Sequence, residues 1–110
     1  MPRPYYYILD DQGNPVPEPD FVKFSIWYEK TDRTVAHDEI NGAIVSTVFL
    51  AQDHLYQYGD GPPQLYETMI FGVENLGYQK RYATRAEALT GHQRALDVVR
   101  KLSSNKGAAP

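Results

Sequence analysis

The sequence predicts an α+β domain, an antiparallel meander sheet of four to five strands packed with two helices. Three observations predict it. Asn41-Gly42 lies between two β-rich runs, a hairpin signal. A second pair of such runs flanks the turn at residues 72–77. Phe21, Phe24, Trp27 and Tyr28 recur at helical spacing.

Each element has a local cause. Tyr5 to Leu9 reads as a strand, bounded by Pro4 and by the turn residues Asp10-Asp11-Gln12-Gly13-Asn14. Pro15, Pro17 and Pro19 lack the N–H that regular structure needs, so the chain is expected to stay irregular until Asp20. Asp20 is placed to cap a helix of about three turns. Thr34 to Ile40 and Ala43 to Ala51 form the first hairpin. Gln52 to Pro63 mixes Gly, Pro, Asp and Tyr, a loop of a length that often carries function. Leu65 to Phe71 and Tyr78 to Ala83 form the second hairpin. Thr84-Arg85-Ala86-Glu87 fits the capping box that opens a helix. Within that helix Leu89, His92, Leu96 and Val99, extended by Ala88, Ala95 and Leu102, make an apolar stripe that should pack on the sheet. The domain spans residues 1–102, with Ser103 to Pro110 expected as a flexible tail.

Composition narrows the function classes. A chain of 110 residues suits one domain with one modest core. The lack of cysteine removes disulfides, thiolate metal sites and cysteine nucleophiles. The start Met1-Pro2-Arg3-Pro4-Tyr5-Tyr6-Tyr7 has no signal-peptide pattern and no window is long and apolar enough for a membrane span, so a cytoplasmic protein is expected. A net charge of −3 argues against a duplex nucleic-acid binder. Nine tyrosines suit interfaces and ligand pockets, and with open sheet edges they lead us to expect a homo-oligomer.

No standard catalytic or phosphate-binding motif occurs, and Gly59-Asp60-Gly61-Pro62-Pro63 cannot cradle phosphate because prolines replace the needed amides. His37, His54 and His92 lack the spacing of a metal site; neither metal nor cofactor is expected. Asp53-His54 could pair a carboxylate with an imidazole, provided the loop turns there, since neighbours on a strand point oppositely. Glu67 shares a strand face with Leu65, Met69 and Phe71; if that face meets the second helix, a Glu67–His92–Arg81 network follows. Lys80, Arg81 and Arg85 cluster at a helix start, where free amides favour anions, with Tyr78 and Tyr82 able to stack on a base.

Three segments resemble a family of small phage- and prophage-encoded proteins of no assigned biochemical role. They are Val45 to Leu50 with Asp53-His54; Gly61-Pro62-Pro63 with Leu65, Glu67-Thr68-Met69 and Phe71-Gly72; and Arg81-Tyr82-Ala83-Thr84 with Glu87-Ala88 and Gly91-His92. Ala51 and the Tyr56-Gln57-Tyr58 insertion depart from the family pattern. The resemblance implies a viral accessory protein and leaves its chemistry open. The first functional expectation is a non-catalytic protein countering host defence by sequestering a nucleotide-like signal through Arg81, Arg85, Tyr82, Asp53, His54, Glu67 and His92. The alternative is an inhibitor that binds a host defence nuclease or complex through Trp27, Tyr56 and Tyr58. A third reading is a hydrolase using Asp53, His54 and Glu67.

Overall fold

The computed structural model describes residues 3–56 and 60–108. Its elements are β1 (Tyr7–Leu9), β2 (Pro15–Pro17), α1 (Phe21–Lys30), β3 (Thr34–Ile40), β4 (Ala43–Phe49), β5 (Tyr66–Phe71), β6 (Gln79–Tyr82) and α2 (Arg85–Ala108). Strands β3 to β6 form an antiparallel meander in sequence order, and β1 with β2 forms a separate ribbon, so the α+β class and the four-stranded meander are as expected. Among the described residues no helix is long and apolar enough to cross a membrane.

The local signals act as their chemistry requires. Asn41 and Gly42 both adopt positive φ, 51° and 81°, the backbone of a two-residue hairpin turn. Asp20 Oδ1 accepts from Val22 N at 2.9 Å and Lys23 N at 3.2 Å, satisfying two amides that the start of α1 leaves free. At the start of α2, Glu87 N donates to Thr84 Oγ1 at 3.1 Å while Thr84 N donates to Glu87 Oε1 at 3.2 Å. Replacing Thr84 with alanine is expected to lower stability by about 1 kcal/mol. An unaltered thermal unfolding curve would remove the cap from the account.

Two segments differ from expectation. Pro15–Pro17 is a strand, in register Ile8↔Val16, with Glu18 N donating to Tyr6 O and Asp10 N to Asn14 O at 2.9 Å each. The ladder bonds thus fall on Asn14, Val16 and Glu18, and the prolines take the alternate positions, where no N–H is needed. α2 continues through Ala108 instead of ending at Leu102. Lengthening an existing helix needs no new nucleus, so polar, small residues can extend it.

The core lies on one face of the meander. β4 alternates strictly, burying Ala43, Val45, Thr47 and Phe49. Their partners Ile70, Thr68 and Tyr66 on β5 share that face. α2 closes it with Ala88, His92, Ala95, Leu96 and Val99. Trp27 of α1 meets Phe49 edge-on at 6.0 Å, so both helices attend the same side. Of the predicted α2 stripe, Leu89 and Leu102 are exposed; close approach is made by Ala88, Gly91 and Ala95 instead. Small residues let a helix sit nearer the sheet than leucine would allow.

Candidate functional site

Strand alternation sorts the candidate residues onto two faces. Glu67 pairs with Val48 and with Arg81, on the face turned away from α2. Its Oε2 accepts from Arg81 Nε at 3.0 Å and from Gln79 Nε2 at 2.6 Å. The predicted Glu67–Arg81 contact forms, but His92 lies across the sheet from it. The expectation failed because α2 covers Tyr66, Thr68 and Ile70 instead of Glu67, Met69 and Phe71. Exposed His54 senses this pair: partial burial pushes its pKa below the ordinary histidine value, as does the Arg81 charge, against the pull of Glu67 and Asp53.

Asp53 turns the other way. Its carboxylate is buried, ion-paired with Arg3, and accepts from Leu55 N at 2.9 Å and Gln64 N at 3.2 Å. Arg3 Nη1 also donates to Gly61 O at 2.7 Å, so the N-terminal segment straps the loop. This occupied carboxylate is no longer free for a ligand, and no hydrogen bond joins Asp53, His54 and Glu67 among the described residues; the hydrolase constellation is not assembled. Burial raises the Asp53 pKa, but Arg3 and the two amides outweigh it and hold the carboxyl below its ordinary value. A depressed folded-state pKa stabilises the protein above the unfolded value, about 4, and that contribution is lost as pH falls through the folded value. Below about pH 4, amide exchange at Leu55 and Gln64 should therefore quicken before the sheet opens. Exchange there in step with β4 would contradict the strap.

His92 is buried in the core. Its Nε2 lies 2.7 Å from Asp38 Oδ2 and its Nδ1 2.8 Å from Thr47 Oγ1, which is 2.5 Å from Thr68 Oγ1. With one ring proton on Nε2, the donors run in one direction from Thr68 through Thr47 and His92 to Asp38. Carboxylate, imidazole and hydroxyl follow the order of a hydrolase triad. Thr47 is fully buried beneath α2, however, and its oxygen is bound to Thr68, so no substrate carbonyl can reach it. The chain is a polar layer between two apolar clusters, one around Phe49 and Tyr66, the other around Val45, Ile70 and Val99. His92 is thereby a structural residue and not a ligand contact.

The basic and aromatic residues near the start of α2 divide as well. Lys80 pairs with Thr68, so it faces the helix side, while Arg81 faces away. Lys80 and Tyr82 on β6 form one column with Tyr78 just ahead of the strand, Lys80 Nζ lying 5.9 Å from the Tyr78 ring centroid. Across from them Tyr82, Ala86, Glu87, Thr90 and Arg94 line a cavity of about 350 Å³. Burial and neighbouring Tyr82 raise the pKa of Tyr78, and the Arg94 charge works against them. On the other flank of the same helix start, Arg85 lines a cavity of about 490 Å³ with Thr84 and the Gln12–Pro15 turn. Buried Tyr66 Oη has no partner among the described residues and feels the Arg85 charge. Arg3, Arg81 and Arg100 are paired to carboxylates; Lys80, Arg85 and Arg94, like Lys23, Lys30, Arg33 and Lys101, have none within salt-bridge distance among the described residues.

Of the predicted residues, the fold gathers Tyr82 and Arg85 around this helix start, with Lys80 beside them. It separates Arg81 and Glu67 onto the far face, leaves His54 exposed in the loop, and commits Asp53 and His92 to structure. Arg94 and Thr90 were missed; with Ala86 they recur every four residues, a helical flank readable in the sequence. As for protein anchors, Trp27 is half-buried against Phe49, Tyr56 is exposed, and Tyr58 lies outside the described residues. No family model, no curated protein and no solved structure matches the chain.

Proposed function

We propose that the protein is a non-catalytic binder of a small anionic, nucleotide-like ligand, held in the groove between β6 and α2. The supporting observation is that Lys80 on β6 and Arg94 on α2, neither with a carboxylate within salt-bridge distance among the described residues, stand on the two sides of the groove that Tyr82 lines, in a chain of net charge −3, with Arg85 on the other flank of the helix start. Phosphate oxygens suit guanidinium and ammonium donors, and a base suits a tyrosine face. Glu87 opposes an anion at the helix start, so phosphate belongs nearer Lys80 and Arg94 than the first amides of α2. The resemblance to phage proteins supplies a role for such binding, withdrawal of a signal in the host cytoplasm.

The test is calorimetric titration with nucleoside monophosphates, nucleoside diphosphates and cyclic dinucleotides, alongside native mass spectrometry of the purified protein. Lys80→Ala and Arg94→Ala should each weaken binding roughly tenfold, and added salt should weaken it further. Arg81→Ala should leave affinity unchanged, because that guanidinium lies on the other face. No binding at millimolar nucleotide, or equal losses for all three variants, would sink the reading.

A further inference from the structure

We propose that the outer face of α1 is a twofold self-association surface, on which a second copy of this chain docks with its own α1 antiparallel. Phe24, Trp27 and Tyr28 turn inward, which leaves Val22, Ile26 and Glu29 along the opposite line of the helix at i, i+4, i+7. Phe21 is 58 % exposed, Val22 66 % and Ile26 51 %. Val and Ile are weaker helix formers than Ala, Leu, Lys or Glu, so neither propensity nor packing within the chain accounts for them there. The patch does not stop at the helix. Phe21 meets Tyr6 at 5.3 Å, Tyr6 meets Tyr5 at 4.8 Å, and Tyr5 meets Tyr56 at 5.1 Å, where Tyr5 and Tyr56 are again exposed.

Charge and area select the occupant. Glu18 and Asp20 sit just ahead of α1, whose first turn holds no acidic residue, and its last turn carries Lys30. An antiparallel pair centred near Phe24 sets Val22 against the second copy's Ile26, and brings Lys30 level with the second copy's Glu18 and Asp20. A parallel pair would oppose like ends and add the helix dipoles unfavourably. The same contacts then form twice, as a closed twofold interface requires. The five exposed apolar side chains offer roughly 450 Å² per copy. Two copies therefore approach the lower bound of a specific interface, on the order of 1,000 Å², once their polar borders are included. The resulting dimer is weak and reversible, and it leaves the β6–α2 groove open, since α1 contributes no residue to that cavity.

Sedimentation equilibrium of the full chain from about 1 μM to about 500 μM tests this. A reversible dimer is expected, with Val22→Glu and Ile26→Glu each raising its Kd about a hundredfold or more, because each buries a carboxylate at the centre of the contact. Lys30→Glu should raise Kd several-fold, and Glu18→Lys added to it should recover part of the loss. Both apolar positions are more than half exposed, so circular dichroism and melting should be unchanged in these variants. A monomer throughout the range would overturn the proposal and leave the face to a different protein. A dimer indifferent to Val22→Glu and Ile26→Glu would overturn it by placing the interface elsewhere.

Discussion

Replacing His92 with alanine is expected to lower the free energy of unfolding by about 3–4 kcal/mol, a large share of what a domain of this size possesses. The ring is 1 % exposed and fills the layer between the two apolar clusters. Removing it opens a cavity and takes from Thr47 its acceptor, leaving two buried hydroxyls with only each other. The far end of the chain should matter less. The Asp38 side chain is half in water, so Asp38→Asn should cost about 1 kcal/mol or less, since solvent compensates for the lost charge. Urea unfolding of both variants measures the contrast; equal losses would mean that the hydrogen bond from His92 to Asp38, and not the buried layer, carries the effect.

Gly91→Ala is expected to destabilise the fold by about 2 kcal/mol even though alanine is the better helix former by about 1 kcal/mol. A Cβ at Gly91 would stand 2.1 Å from Tyr82 Oη and 2.2 Å from Cζ, so the ring must leave its seat on α2. The sign should reverse when the obstacle is removed. In a Tyr82→Ala background, Gly91→Ala should stabilise by about 1 kcal/mol, the intrinsic helix preference alone. Chemical unfolding of the four proteins completes the cycle, and a loss that persists without Tyr82 would refute the contact. Since Tyr82 also lines the β6–α2 cavity, Gly91→Ala in the wild-type background should weaken ligand binding as well.

Features set by neighbouring residues were readable. The Asn41-Gly42 turn, the Asp20 cap and the Thr84–Glu87 box depend on a few atoms close in sequence, and each forms with the expected partners. The proline strand was not readable, because a proline is tolerated or excluded by the parity of a ladder whose other half, Tyr7–Leu9, lies several residues away. At the candidate site, Tyr82, Arg85 and the basic cluster were legible as chemistry. Arg94 was missed because its helical spacing becomes meaningful only when β6 lies beside it. Gly91 invites the same comment: a glycine within a helix marks a close approach, but not which side chain approaches.

The face of β5 shows where local information ended. Tyr66, Thr68 and Ile70 alternate with Glu67, Met69 and Phe71, and each set contains apolar residues, so hydrophobic pattern alone could not choose between them. The sequence by itself determined α1, the four meander strands and their order, the start of α2, and their caps and turns, since these follow from backbone preference and period. Only the tertiary structure decided that α2 covers Thr68 and not Glu67. That choice depends on summed packing across β4, β5 and α2, where His92 finds Thr47 and small residues at 88, 91 and 95 admit the helix. With it went the fate of the candidates: His92 and Asp53 to the scaffold, Glu67 and Arg81 to the open face, and Lys80, Tyr82 and Arg94 to the groove.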